Sequence, residues 1–143
     1  MKVFLDTWVL VEHYKGNPDA LFLLKEAKER LEAYTSHLTI AELINVISRE
    51  YGEREARIQY AYLKRSPLVK NATTDEIAKN AGLYKTRYKF SLADAIILAT
   101  AIDVGAELLV TGGEKQYEEE WKHVKEIKVK KLSDYASALQ TKD

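Results

Sequence analysis

The sequence contains no cysteine, only two prolines and a single methionine among its 143 residues. The lack of cysteine excludes disulfide frameworks, cysteine-rich zinc sites and cysteine nucleophiles. Neither sign of charge is in excess, because 22 acidic side chains balance 22 lysines and arginines. The field of the whole molecule therefore does not favour a polyanion, and any polyanion site must be local.

Long apolar runs are also missing from the chain. The uncharged run Ala95–Ile102 is far shorter than the roughly 20 residues that a membrane span requires. The apolar start Val3–Leu5 is interrupted by Asp6 and has no small-residue cleavage site after it, which argues against a signal peptide. We find no Walker A loop, dinucleotide-binding fingerprint or nucleophile elbow. We therefore expect one cytoplasmic domain over residues 1–143, without membrane contact.

Short apolar segments alternate with helical patterns along the sequence. The segment Thr39–Tyr51 carries apolar residues at the helical i, i+3, i+4, i+7 spacing, whereas Ile127–Lys131 alternates like an edge strand. This alternation predicts a three-layer α/β/α sandwich with a short, mostly parallel central sheet. The predicted strands are Val3–Leu5, Ala33–Ser36, Leu68–Val69, Leu108–Val110 and Ile127–Lys131. The predicted helices are Thr7–Tyr14, Asp19–Glu32, Thr39–Tyr51, Glu53–Lys64, Thr74–Tyr88, Ser91–Val104, Glu114–Trp121 and Asp134–Gln140.

The predicted helix Ser91–Val104 is apolar on all sides, which is typical of a buried helix. Asp94 is the only charged residue in its first three turns. A buried carboxylate must be paired, hydrogen-bonded or bound to a metal. Two interpretations are open: a capping box in which Asp94 reaches back to Ser91, or a metal ligand at a helix N-terminus, where the helix dipole favours the ionised form.

Two further acids allow the same pair of interpretations. Glu42 belongs to a capping box, Thr39-x-x-Glu42, and lies opposite the apolar stripe of its helix, which favours a solvated surface acid. Asp6 follows the first strand and is either the N-cap of the next helix or a carboxylate at the carboxyl edge of a central strand. A third box, Thr73–Glu76, shows that the chain uses such caps without any site.

Asp6, Glu42 and Asp94 are most informative in combination. Strand ends and first helical turns converge on one edge of a parallel α/β fold. Three carboxylates collected there repel one another unless a divalent cation neutralises them. An all-oxygen ligand set, with no cysteine and no convincing histidine, indicates Mg²⁺ or Mn²⁺ rather than zinc. Mg²⁺ held by carboxylates usually accompanies phosphate substrates.

Four motifs follow one another along nearly the whole chain. They are Asp6-Thr7 after an N-terminal strand, Thr39-x-x-Glu42, Leu92-Ala93-Asp94 with its apolar continuation, and Leu109-Val110-Thr111. This order resembles a PIN domain and, more narrowly, a VapC-type toxin. The resemblance implies a Mg²⁺- or Mn²⁺-dependent endoribonuclease that cuts single-stranded or loop RNA. It also implies a homodimer that a small antitoxin protein inhibits.

The resemblance assigns roles to individual residues. Asp6, Glu42 and Asp94 match the acidic metal-binding and catalytic residues of the family. Thr7 matches the small hydroxyl residue after the first acid, and Thr111 matches the threonine of a Thr-x-Asp motif. Both would support the acids.

The chain departs from the family pattern at Gly113, where a fourth acid is expected. Glu114 follows immediately and is our candidate to replace that acid from a shifted backbone. If no acid replaces it, the resemblance implies a PIN fold that binds RNA or a protein with weakened catalysis.

A cationic and aromatic segment lies just upstream of Asp94. Its candidates for RNA contact are Lys85, Arg87, Tyr88 and Lys89. Aromatic rings stack on splayed bases, and basic side chains contact phosphates. The alternative is a solvated helix end with its tyrosines packed sideways. The acidic run Glu118–Glu120 is interpreted as a solvated helix face that pairs with nearby lysines.

Two other functions stay open for this sequence. One is a housekeeping RNA-processing nuclease with the same site. The other is a phosphotransfer enzyme of the haloacid dehalogenase type, with Asp6 as nucleophile. That type has a second aspartate two positions further on, where this chain has Trp8.

Overall fold

The computed structural model describes residues 1–141, within which five strands and eight α-helices alternate. The strands are β1 (Lys2–Leu5), β2 (Glu32–Ser36), β3 (Val69–Asn71), β4 (Leu108–Thr111) and β5 (Lys128–Lys131). The helices are α1 (Thr7–Tyr14), α2 (Pro18–Glu29), α3 (His37–Tyr51), α4 (Glu53–Arg65), α5 (Asp75–Tyr88), α6 (Leu92–Asp103), α7 (Glu114–Glu119) and α8 (Leu132–Thr141). A 3₁₀ turn, Trp121–His123, follows α7. No helix in the described range combines the length and the apolar character needed to cross a membrane.

The strands form one sheet in the order β3-β2-β1-β4-β5, and every neighbouring pair is parallel. Phe4 in the central strand β1 lies beside Tyr34 of β2 and Leu109 of β4. The chain first builds β2 and β3 on one side of β1 and then β4 and β5 on the other. In open parallel sheets such a reversal of strand order leaves a crevice at the carboxyl ends of the strands.

Helices cover both faces of the sheet, so the predicted three-layer α/β/α sandwich is confirmed. Successive residues of β1 point to opposite faces, as strand geometry requires. Val3 and Leu5 pack in the core formed with α1–α4 and α8, whereas Phe4 packs in the core formed with α5 and α6. A sheet buried on both faces explains why its inner strands read as continuous apolar runs.

Most predicted helices differ from the structure by one to three residues at an end, and two of these differences have a clear local cause. Helix α3 begins at His37 rather than Thr39, because the Ser36 hydroxyl accepts a hydrogen bond from the Thr39 N–H at 3.0 Å and acts as the N-cap. The predicted capping box Thr39-x-x-Glu42 is therefore wrong. Helix α2 ends at Glu29 rather than Glu32, because Glu32 already pairs with β1 as the first residue of β2.

The end of β4 lies against the first turn of α1 at Gly112. A Cβ atom at Gly112 would lie 2.5 Å from the carbonyl carbon of Trp8 and 2.7 Å from the nitrogen of Val9. These are backbone atoms, which cannot rotate away as a side chain can. Only glycine therefore allows this approach, and the Gly112 N–H donates to Asp6 Oδ1 at 3.2 Å.

We predict that Gly112→Ala lowers the free energy of unfolding by about 1–3 kcal/mol, because overpacking forces backbone shifts of this cost. Thermal melts followed by circular dichroism measure the change. Gly113→Ala is the matched control, since its Cβ would meet the end of the Gln116 side chain at 2.9 Å, and that side chain can rotate. Equal losses in the two variants would contradict the prediction.

Candidate active site

Asp6, Glu42 and Asp94 line one cavity of about 120 Å³ at the carboxyl edge of the sheet. Asp6 joins β1 to α1, Glu42 lies in α3, and Asp94 lies in the first turn of α6. The structure thus brings together three acids that are far apart in the sequence, as expected. The remaining lining residues are Thr7, Trp8, Asn45, Val46, Ile97 and Gln116.

Asp6 is held rigidly by backbone donors. Its Oδ1 accepts a hydrogen bond from the Val9 N–H at 3.1 Å, which makes it the N-cap of α1, and a second from the Gly112 N–H. The residue is only 2% exposed. The two interpretations of Asp6 are therefore both correct, since the side chain caps a helix and also lines the cavity.

The expectation that Glu42 is a solvated surface acid is wrong. Glu42 is half-buried, and its Oε1 accepts a hydrogen bond from the Thr7 hydroxyl at 2.5 Å. Glu42 does lie off the apolar stripe of α3, but helix α1 packs against α3 and Glu42 lines the cavity. Thr7 thereby orients the second acid, which is the supporting position that the resemblance implies for it.

Asp94 combines a cap position with a place in the cavity. Its N–H donates to the Ser91 hydroxyl at 3.2 Å, so Ser91 caps α6 as predicted. Its Oδ2 accepts a weak hydrogen bond from Gln116 Nε2 at 3.4 Å. The carboxylate therefore lines the cavity and reaches Gln116 of α7.

Both buried aspartates resist ionisation. Burial raises the pKa of Asp94 to about 8, and contact with the Glu120 carboxyl and the charge of Asp6 act in the same direction. Burial also raises the pKa of Asp6 to about 6, against hydrogen bonds from Thr111 and from backbone N–H groups. The hydrogen-bond donors of the cavity thus do not offset the cost of ionising both carboxyl groups.

Glu120 and Gln116 are site residues that the sequence interpretation missed. The run Glu118–Glu120 is not one solvated face. Glu118 pairs with Lys122 at 3.0 Å, but the Glu120 carboxyl contacts Asp94. Among the residues that the structure describes, the buried Glu120 Oε2 has no hydrogen-bond partner. Helical periodicity does not contain this signal, because Glu120 follows the last residue of α7 with a non-helical φ of −126° and ψ of −63°.

Glu114 does not reach the three acids. It is exposed and lines a separate cavity beside Glu12, Asp19 and Lys131. A one-residue shift from position 113 to position 114 turns the side chain to the other side of the β4–α7 connection. The predicted replacement of the fourth acid by Glu114 is therefore not supported by the placement of its side chain.

The four candidates for RNA contact surround the α5–α6 connection and do not line the acidic cavity. Lys85 donates to the carbonyl of Phe90 at 3.0 Å, and Lys89 ends α5 in a left-handed conformation with φ of 57°. Arg87 and Tyr88 both bind the carboxylate of Glu126, just before β5. Their contact with RNA stays a prediction.

The donor set fits a hard divalent cation in its chemistry. No group of three or more Asp, Glu, His or Cys side chains is arranged to hold a metal ion within residues 1–141. Mg²⁺, however, commonly takes only one or two carboxylates from a protein and keeps several waters. The observation that favours a cation is the contact of Asp94 with Glu120, where a buried carboxylate oxygen has no partner.

Comparison with known proteins gives the class of the fold and site. Residues 3–122 match the family model of the PIN domain, and the protein belongs to that family. Within it, the protein is similar to Ribonuclease VapC19 of Mycobacterium tuberculosis (strain H37Rv), with 34% identity over 113 residues. The match covers 75% of this chain and 86% of that ribonuclease. The resemblance to VapC proteins is thereby confirmed.

Solved structures share the fold. VapBC2 from Rickettsia felis, bound to a promoter DNA fragment, has a TM-score of 0.74 and 19% identity over 92% of this chain and 98% of that chain. DNA-bound VapBC from Salmonella typhimurium has a TM-score of 0.72 and 15% identity, with the same coverage. VapC20 of M. tuberculosis, a Sarcin-Ricin loop cleaving toxin, has a TM-score of 0.61 and 17% identity over 75% of this chain and 86% of that chain.

We predict that the metal-free protein loses stability between pH 4 and pH 8. The folded-state pKa values of Asp94 and Asp6, about 8 and about 6, lie above the unfolded value of about 3.9. The folded state therefore binds more protons in this interval, and the free energy of unfolding falls as pH rises.

The Asp94→Asn variant isolates the larger contribution. At pH 8 in EDTA its Tm should exceed that of the wild type by at least about 3 °C, the equivalent of roughly 1 kcal/mol. At pH 4 the two proteins should melt within about 1 °C of each other, because Asp94 is then protonated in the folded state. A variant that melts below the wild type at pH 8 would refute this account.

Proposed function

We propose that the protein is a Mg²⁺- or Mn²⁺-dependent endoribonuclease that hydrolyses phosphodiester bonds in single-stranded or loop RNA. The observation that carries the proposal is the meeting of Asp6, Glu42 and Asp94 in one cavity at the carboxyl edge of a parallel sheet. The similarity to a ribonuclease supports RNA as the substrate, and a structural neighbour that cleaves an RNA loop supports loop RNA.

Neighbouring residues of the chain hold and orient the three acids. Asp6 is immobilised by two backbone N–H groups, Thr7 orients Glu42, and the Gln116 amide faces Asp94. Asp6, Glu42 and Asp94 would hold a divalent ion at one edge of the sheet, and that ion would lower the pKa of a bound water and offset negative charge on the phosphoryl oxygens. The expected products carry a 5′-phosphate and a 3′-hydroxyl.

Cleavage of a labelled RNA tests this proposal. We expect cleavage with Mg²⁺ or Mn²⁺, none with EDTA, and about 100-fold or greater loss in Asp94→Asn, since even residues that only support metal ligands cost 10–100-fold. Glu119→Gln removes an exposed acid of α7 and serves as the control. Cleavage at an equal rate in EDTA, or in Asp94→Asn, would exclude the proposed mechanism. RNA binding by a wild-type protein that cuts no RNA with either metal would instead favour a PIN fold that binds RNA without cutting it.

We further propose that this nuclease is the toxin of a toxin–antitoxin pair, inhibited by a small antitoxin protein, and that it forms a homodimer. Structural neighbours are toxin–antitoxin assemblies, including a complex from Klebsiella pneumoniae with a TM-score of 0.63, 23% identity, and coverage of 88% of this chain and 98% of that chain. A housekeeping RNA-processing nuclease is the alternative. The haloacid dehalogenase alternative has no support in a chain that belongs to the PIN family.

Co-expression with the product of a short neighbouring reading frame separates these two nucleases. A toxin should arrest growth when expressed alone, and its co-expressed partner should restore growth and block RNA cleavage by the purified complex. Light scattering on the purified protein gives the number of chains. A nuclease that is harmless alone and keeps full activity beside its neighbour's product would favour the housekeeping function.

A further inference from the structure

The backbone at Gly113 does not require glycine. Its φ of −96° and ψ of 107° are extended values that any residue adopts. The space beside it is occupied instead. A Cβ atom at this position would lie 2.9 Å from Gln116 Oε1 and 3.3 Å from Trp8 Cδ1. The Gln116 side chain therefore occupies the place where an acid at position 113 would begin.

Two side chains at and just after α7 lie toward Asp94. Gln116 lies within α7, and Glu120 is the residue that caps its C-terminal end, where the Glu120 N–H donates to the Gln116 carbonyl at 2.8 Å. The Gln116 amide reaches Asp94 Oδ2, and the Glu120 carboxyl contacts the Asp94 carboxyl. The neighbouring Glu119 points elsewhere, because its carboxylate lies 4.0 Å from Lys115 on the exposed side.

The contact of Glu120 with Asp94 lacks any compensating positive charge. None of the ion pairs found within residues 1–141 includes either residue. Glu120 Oε2 is buried and accepts no hydrogen bond. A buried carboxylate without a partner is costly, and two that touch repel each other unless a proton or a cation lies between them.

We propose that Glu120 supplies the fourth carboxylate of the site in place of an acid at position 113, and that it helps Asp94 to hold the divalent cation. The proposal rests on the proposed function, because it concerns the same cation. The acid comes from the C-terminal end of α7 rather than from the loop before it. The geometry also explains how the chain tolerates Gly113, since Gln116 fills the vacated space and α7 carries the charge.

Glu120→Gln is the direct test, since it keeps the shape of the side chain and removes its charge. Isothermal titration calorimetry with Mn²⁺ at pH 7.5 should show a dissociation constant raised about tenfold or more over the wild type. Without metal, the variant should melt at or above the temperature of the wild type, because the repulsion with Asp94 is gone. Loss of a merely structural contact would instead lower that temperature.

Two matched variants complete the experiment. Glu119→Gln and Glu114→Gln each remove one exposed acid of α7 and should leave Mn²⁺ affinity within about twofold of the wild type. Gly113→Asp in the Glu120→Gln background returns a carboxylate to the family position and should restore affinity, with Gln116 rotating away. Restored Mn²⁺ affinity in this double variant would support the conclusion that Glu120 takes the place of an acid at position 113.

The outcomes separate this inference from the proposed function. Wild-type Mn²⁺ affinity in Glu120→Gln, or weakened affinity in Glu114→Gln alone, overturns the role of Glu120 and leaves a metal-dependent nuclease standing. A wild-type protein that binds no Mn²⁺ in calorimetry overturns both. Weakened binding in Glu120→Gln, with a metal-free Tm at or above that of the wild type, supports the inference.

Discussion

The junction around the Asp6 carboxylate is the contact on which the fold and the site both depend. Its Oδ1 receives the N–H groups of Val9 and Gly112, so one atom joins the end of β1, the start of α1 and the end of β4. The junction can form only because Gly112 has no side chain to collide with the backbone of Trp8. A residue that ends the central strand thereby also fixes one wall of the acidic cavity.

Burying carboxyl groups in the cavity costs electrostatic free energy, and the fold tolerates this cost. Asp94 is 8% exposed, its pKa is raised to about 8, and it contacts another carboxyl group. A core built for stability alone would neutralise or remove such a group, as buried charges without partners are destabilising. Proteins keep unfavourable groups of this kind where function needs them. The retained repulsion supports the proposed cation site.

The fold was largely predictable because local patterns and global topology agree. Apolar strand runs alternate with helices, and parallel pairing follows from the helical crossovers between strands. The positions of Asp6 and Asp94 were predictable for the same reason, since strand ends and helix starts meet at one edge. The environment of Glu42 was not, because a helical wheel gives the direction of a side chain but not what lies there. Ser36 as a cap and α1 as a neighbour decide it.

The sequence by itself determined the alternation of strands and helices and the candidate acids Asp6, Glu42 and Asp94. Its balanced charge, its length and its apolar pattern limited the classes of protein that it could belong to. Only the tertiary structure decided which side of α7 meets the cavity. Glu114 begins the short helix α7 and Glu120 follows its last residue, and no sequence pattern favours one of these acids over the other. The docking of α7 through Gln116, in the space that Gly113 leaves open, turns Glu120 toward Asp94 and leaves Glu114 outside. Which acid faces the cavity depends on packing between elements, and a local sequence pattern does not determine that packing.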